Sequence, residues 1–203
     1  MLSRLRTGWG RLVRPLVDVL LRLGVSPDAV TVSGTVAAVV IALWAFPTGH
    51  LLLGAVLLGG AALMDTIDGA MARRSGRTGP WGAFLDSTLD RFADGAIFAG
   101  LVVWFTGRGD DRLTALLALA CLVLGAIVPY ARARAEGVGA HAAVGIAERG
   151  ERLLVSLVAT GLVGAGLPTA LLTVALGLLA VASLVTVFQR VLVVRRQLPA
   201  APR

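Results

Sequence analysis

Lysine is absent from the 203 residues: all 19 basic side chains are arginine. A phosphate-binding loop of the Walker type, which needs its lysine, is therefore excluded. Cysteine occurs once, at Cys121 inside an apolar run, so there is no intramolecular disulfide and the thiol reads as a small packing residue. Histidine occurs twice, at His50 in a turn and His141 in a run of small residues, and neither belongs to a zinc-type ligand cluster. Charge is scarce: 15% of residues are charged, where a soluble domain carries about 25%. No internal repeat is evident, and arginines run through the amino-terminal stretch as far as Arg22, so it does not read as a cleaved signal.

What is present is apolar. Hydrophobic residues make up 57% of the chain and mean hydropathy is +0.84. Long apolar runs recur, each near the roughly 20 residues that cross a hydrocarbon core. Backbone in lipid must satisfy its own hydrogen bonds, so the runs are expected to be helices. The expectation is an all-α integral membrane protein with no room for a separate soluble domain. Six spans are expected, near 28–46, 51–73, 82–106, 113–135, 150–166 and 168–194. Before them, Trp9, Leu12, Val13, Leu16, Val19, Leu20 and Leu23 recur at helical spacing among arginines. Residues 1–25 are thus predicted to be an amphipathic helix on the membrane surface, and 26–203 the six-helix domain. Pro15 should kink or restart the first helix. "GVSPD" should end it, with Ser26 capping the next helix and Pro27 in its first turn.

The net charge of +7 does not point to nucleic acid, because the arginines cluster beside apolar spans. They lie in the amino-terminal segment, residues 73–81, residues 132–152 and the tail after Arg190; only Arg108 and Arg112 fall on the other side, offset by Asp110 and Asp111. The positive-inside rule then places both termini in the cytoplasm of a multi-pass cell-membrane protein.

Against this background stands "LMDTIDGAMARRSGRTGPWGAFLDSTLDRFADG", which holds Asp65, Asp68, Asp86, Asp90 and Asp94. At 1.5 Å per helical residue, Asp65 and Asp90 lie about 21 and 22 Å from the outer edge, and Asp68 and Asp86 about 25 and 28 Å. Two antiparallel helices would bring four carboxylates to one level, just inside the cytoplasmic edge. Asp65 and Asp68 share one helix face, Asp86 and Asp90 another. Each aspartate deep in a membrane costs about 2.5–3.5 kcal/mol, so a compensating charge is required. Arg73, Arg74 and Arg91 do not balance five aspartates. Hard carboxylate oxygens suit Mg²⁺, Mn²⁺ or Ca²⁺, and a pair of such ions suits phosphoryl transfer. Gly69 and Gly82 remove side chains where a ligand would approach the helices. A network of Asp–Arg pairs holding helices together is the competing explanation, and for Asp94 it is the favoured one.

The pattern Asp65-x2-Asp68-Gly69-x2-Ala72-Arg73-x8-Gly82-x3-Asp86-x3-Asp90 resembles, at every fixed position, the signature of the CDP-alcohol phosphotransferase family. The resemblance implies a six-helix membrane enzyme, a homodimer, with a cytoplasm-facing metal site. Such enzymes move a phosphatidyl or similar group from a CDP-linked donor to an alcohol and release CMP. It implies that Asp65, Asp68 and Asp86 bind metal, two Mg²⁺ ions with Mn²⁺ as the substitute. Asp90 would also approach metal and serve as general base. Nucleotide contacts carry over to Gly69 and Arg73, and, through "SPDAVT", to Asp28 and Thr31. A hydroxyl residue usually stands where this chain has Gly79, with Thr78 one place off.

Within the family the chain most resembles, over nearly its full length, the bacterial branch that joins CDP-diacylglycerol to inositol phosphate. The shared stretches include "DTIDGAMAR", "GAFLDSTLDRFADGAIF", "YARARAEG", "GIAERGERL" and "VFQR". The resemblance implies that Arg132, Arg152 and Arg190 hold the acceptor's phosphate, with Arg134 a rival to Arg132 because the branch more often has lysine there. Arginine suits bidentate phosphate recognition, while ordinary headgroup contact by positive-inside arginines remains the alternative. Glu136, Glu148 and Glu151 stand among these arginines as surface partners or as groups that orient them. Two other activities compete: the same reaction on glycerol phosphate or another alcohol, and divalent-cation transport. A transporter's polar path should continue to the outer face, yet the runs beyond Asp65 and Asp94 are apolar.

Overall fold

The computed structural model describes residues 14–76 and 78–198, with residues 63–66 described by their backbone alone. Helix α1 covers residues 14–22. Six long helices follow: α2 (Pro27–Ala45), α3 (Leu51–Ser75), α4 (Pro80–Thr106), α5 (Arg112–Gly137), α6 (Arg149–Gly164) and α7 (Ala170–Gln197). No strand occurs among the described residues. Each expected span falls on one helix, the largest offset being three residues, at the end of the last (194 against Gln197).

The ends follow from local chemistry. Ser26 caps α2 by accepting from Ala29 N at 3.2 Å, and Pro27 occupies the first turn, where its missing N–H is no loss. Gly76 closes α3 in the left-handed region, at φ +66°, which a residue with a side chain rarely enters. At the opposite end of the bundle Asp111 caps α5, its carboxylate accepting from both the amide and the hydroxyl of Thr114.

Neighbouring helices pack in a closed ring, in the order α3, α2, α4, α5, α7, α6 and back to α3. The core between them is built on Phe46, Phe98, Leu101, Phe105, Leu172 and Leu176, each 1% exposed or less. Close approach depends on small residues, as expected where lipid gives no hydrophobic drive to association. At Gly164 of α6, an added Cβ would run into the backbone of Leu51 and Leu52 on α3. The outer faces stay apolar and exposed, as at Val40, Leu154, Leu178 and Phe188.

The chain is therefore an all-helical membrane protein. Among the described residues, four helices are long and apolar enough to cross a bilayer: α2, α3, α5 and α7. The other two fall short for physical reasons. α4 carries Asp86, Asp90, Arg91 and Asp94, and α6 has only 16 residues, about 24 Å of helix against a core of about 30 Å. Residues 1–13 of the predicted surface helix, with Trp9, Leu12 and Val13, lie outside the described residues. In α1, Val17 is buried against Ile67 and Met71 of α3, while Leu16, Val19 and Leu23 of the predicted stripe are exposed. α2 packs closely against both α3 and α4, and those two helices face each other across the cavities they line.

Candidate active site

Three helices meet around a cavity of about 290 Å³. The start of α2 supplies Asp28 and Thr31, the last turns of α3 supply Asp68, Gly69 and Arg73, and the entry to α4 supplies Gly82 and Asp86. Asp68 is 8% exposed. Its Oδ2 accepts from the Thr31 hydroxyl at 2.6 Å, and its Oδ1 takes the amide of Gly69 at 2.5 Å. Asp28 accepts from the indole Nε1 of Trp81 at 3.0 Å, which ties α2 to α4. Asp86 is exposed towards the cavity. Arg73 lies along its own helix, where a Cβ on Gly69 would come 3.3 Å from its Nη1. A Cβ on Gly82 would meet nothing within 4 Å, so its absence widens open space. Gly79 lines the cavity as the N-cap of α4, and Thr78, the displaced hydroxyl, lines it too. Asp65 lies one turn before Asp68 on α3; its side chain is outside the described residues.

Among the described residues, three carboxylates and one guanidinium line this cavity. Among the described residues no three Asp, Glu, His or Cys side chains converge closely enough to hold an ion by themselves. The donor set nonetheless fits a hard divalent cation: carboxylate oxygens, a negative excess, and open space in front of Gly82.

Asp90 and Asp94 stand in different company. Asp90 lies 2.9 Å from Arg149 Nη1 and 3.5 Å from Arg91 Nη2. Asp94, 4% exposed, accepts from Arg149 Nε at 3.1 Å and from Arg152 Nη2 at 3.5 Å. Among the described side chains, Asp68 and Asp86 line the cavity, while Asp90 joins α4 to α6 through arginine.

Each of the three candidate phosphate-binding arginines has a partner within the chain. Arg132 is exposed on α5 and pairs with Glu136 at 3.1 Å. Arg152 is 1% exposed and donates to Ala147 O at 3.1 Å. Arg190, 3% exposed, donates to Val144 O at 2.9 Å and to Val128 O, beside Pro129, at 2.5 Å. Arg152 and Arg190 thus grip the segment that leads into α6, and Thr186 helps them, accepting from the amides of Ile146 and Ala147. Arg134 is exposed on the same turn of α5 as Arg132. Cys121 is buried and bonds to Leu176 O, the packing role expected of it. His141 is exposed, its backbone paired with Gln197, and His50 stacks on Trp44.

An apolar groove of about 760 Å³ opens between α3 and α6, walled by Leu52, Val56, Leu153, Leu157 and Leu162. Its polar end is Asp86 and Arg149. Sequence reasoning missed two participants here. Trp81 gave a weak signal, an aromatic directly after the helix-starting Pro80. Arg149 gave a better one: a cation at the start of α6, where Asp90 and Asp94 of α4 find a partner.

A profile of the CDP-alcohol phosphatidyltransferase family matches residues 24–197. The chain is 47% identical to the phosphatidylinositol phosphate synthase of Cutibacterium acnes over 203 residues, 97% of this chain and 98% of that protein. It is 46% identical to the synthase of the same name from Streptomyces avermitilis, over 95% of this chain and 81% of the other. Among solved structures, the Mycobacterium tuberculosis phosphatidylinositol phosphate synthase with CDP-DAG bound aligns with a TM-score of 0.87 at 41% identity, covering 91% of this chain and 94% of that one. The same enzyme with manganese and citrate aligns with a TM-score of 0.87, covering 90% and 88%.

Proposed function

Since the chain belongs to the CDP-alcohol phosphatidyltransferase family, we propose that it transfers a phosphatidyl group from CDP-diacylglycerol to inositol phosphate, releasing CMP. One observation carries this reading. Asp86 is shared by a polar cavity and an apolar groove, so a single molecule can place a nucleotide diphosphate in one and acyl chains in the other. The relatives named above support the donor, the acceptor and a divalent-cation requirement.

In this reading Asp28, Thr31, Gly69, Arg73 and Gly79 surround the cytidine and its phosphates. Two divalent ions, Mg²⁺ with Mn²⁺ as the substitute, held by Asp65, Asp68, Asp86 and Asp90, supply charge neutralisation for the diphosphate and the departing CMP. Thr31 and the Gly69 amide hold Asp68 in place from either side. Asp90 takes the proton of an inositol hydroxyl. The inositol oxygen bonds to the lipid-side phosphorus as the bond from that phosphorus to the CMP oxygen breaks. Arg132, Arg152 and Arg190 hold the acceptor's phosphate, which turns encounter into positioning.

The wider frame follows. All of α2 to α7 cross the membrane, with both termini and the catalytic end in the cytoplasm and α1 on its surface. α4 can cross because Asp90 and Asp94 turn inward onto arginines of α6. The functional unit is a homodimer. The testing experiment is CMP release by purified protein in nanodiscs containing CDP-diacylglycerol, with inositol phosphate, glycerol 3-phosphate or inositol added. Release is expected with inositol phosphate and is abolished by excess chelator. Equal release with glycerol 3-phosphate sinks the acceptor assignment, and full activity in chelator sinks the metal assignment.

A further inference from the structure

Asp94 lies outside the aspartate motif and lines no part of the donor cavity, yet it is the most buried of the described aspartates, at 4% exposure. Its two oxygens divide between two cations of α6. Oδ1 takes Arg149 Nε at 3.1 Å and Oδ2 faces Arg152 Nη2 at 3.5 Å. Arg91 of its own helix stands at 4.0 Å. Arg149 also reaches Asp90 through Nη1, at 2.9 Å. One guanidinium therefore bridges two carboxylates a single helical turn apart.

Asp94 is the carboxylate that faces the buried Arg152. Without it that guanidinium would lose its charged partner, a loss that costs heavily in a low-dielectric interior. Arg152 has a second peculiarity. Its Nε is buried with no hydrogen-bond partner and faces α5 at Gly125, where an added Cβ would come within 3.9 Å. The side chain is held at one end, by Asp94 and Ala147 O, and keeps a donor free at the other.

We propose that Asp94 is a positioning residue for the acceptor side of the reaction. It holds Arg149 and Arg152 in register with Asp90, so that the group receiving the acceptor's phosphate and the group taking its proton keep a fixed separation. Asp94 touches neither substrate nor reacting atoms. The inference rests on the reading of Arg152 as a phosphate ligand and Asp90 as the base.

The test is steady-state kinetics of Asp94→Asn, which keeps the shape and removes the charge. The Michaelis constant for inositol phosphate is expected to rise at least about tenfold, with kcat changed less and CDP-diacylglycerol binding unchanged. A merely structural role lowers the folded fraction and the melting temperature and leaves the Michaelis constant of the surviving enzyme where it was. The double variant Asp94→Asn/Arg152→Gln should be no worse for the acceptor than Arg152→Gln alone; additive losses count against the proposal. If Asp94→Asn does not fold, Asp94→Glu is read instead, since moving the carboxylate by one methylene displaces both arginines and should raise the same constant. An unchanged acceptor constant in the folded variant overturns the proposal. Wild-type protein that releases no CMP with inositol phosphate overturns the acceptor reading itself, a separate failure visible before any variant is made.

Discussion

Asp86 and Asp90 are one helical turn apart on α4, and their surroundings are opposite. Among the described residues, Asp86 shares its cavity with two further carboxylates and a single arginine. Asp90, with Asp94 one turn beyond, lies against Arg91, Arg149 and Arg152. One region presents carboxylates to open space and fits cations from outside; in the other, carboxylates pair with arginines of the chain. The difference separates two tasks that the run of aspartates presents as one. In the proposed reading the first region takes the metal-bound diphosphate, and the second takes the anionic acceptor, because arginines gather there.

The comparison can be broken most forcefully at the first region. Asp68→Asn or Asp86→Asn should lower turnover on the order of 10³-fold or more, with loss of Mn²⁺ binding measured directly on the protein. Retained metal affinity in both variants would show that the cavity is not the cation site. Next comes Asp90→Asn, expected to reduce kcat by about 10²–10⁴-fold while donor binding in an equilibrium assay stays intact; a matched loss of donor binding would merge the two regions again. Thr31→Val is smaller. It leaves a buried carboxylate oxygen of Asp68 short of a donor, at about 1–3 kcal/mol, and a melting curve in detergent should register it.

The smallest effect lies at the far end of the bundle. The Thr114 hydroxyl and amide hold the Asp111 carboxyl below its usual range. Its cap is therefore fully present above the ordinary carboxylate range and fades as pH falls through the lowered value. Asp111→Ala should cost about 1 kcal/mol at neutral pH with turnover unchanged, and the deficit in melting temperature should shrink in acid. Lost activity at neutral pH would mean the two ends of the bundle are not independent.

Much of this was legible beforehand. Six apolar runs gave six helices because hydrophobic length and the Gly, Pro and Ser punctuation at their ends are local signals. The motif was legible because its fixed spacing places Asp68, Gly69, Arg73, Gly82 and Asp86 around one cavity. For α4 and α6 the membrane signal is weaker, since one is polar and the other short. The neighbours of α3 and α4 were harder to read: helical depth says how far along its axis a residue sits, not which helix packs beside it, and α2 packs against both.

The sequence by itself determined the helices, the helical register of the carboxylates and the membership of the family, since each depends on residues near one another in the chain. Tertiary structure alone decided that Asp86 faces the cavity and that Asp90 and Asp94 meet Arg149 and Arg152, more than 50 residues away. The physical reason is that a carboxylate's partner is set by what packs against its face of the helix. Spacing along α4 fixes that face, but only closure of the ring brings α6 to it.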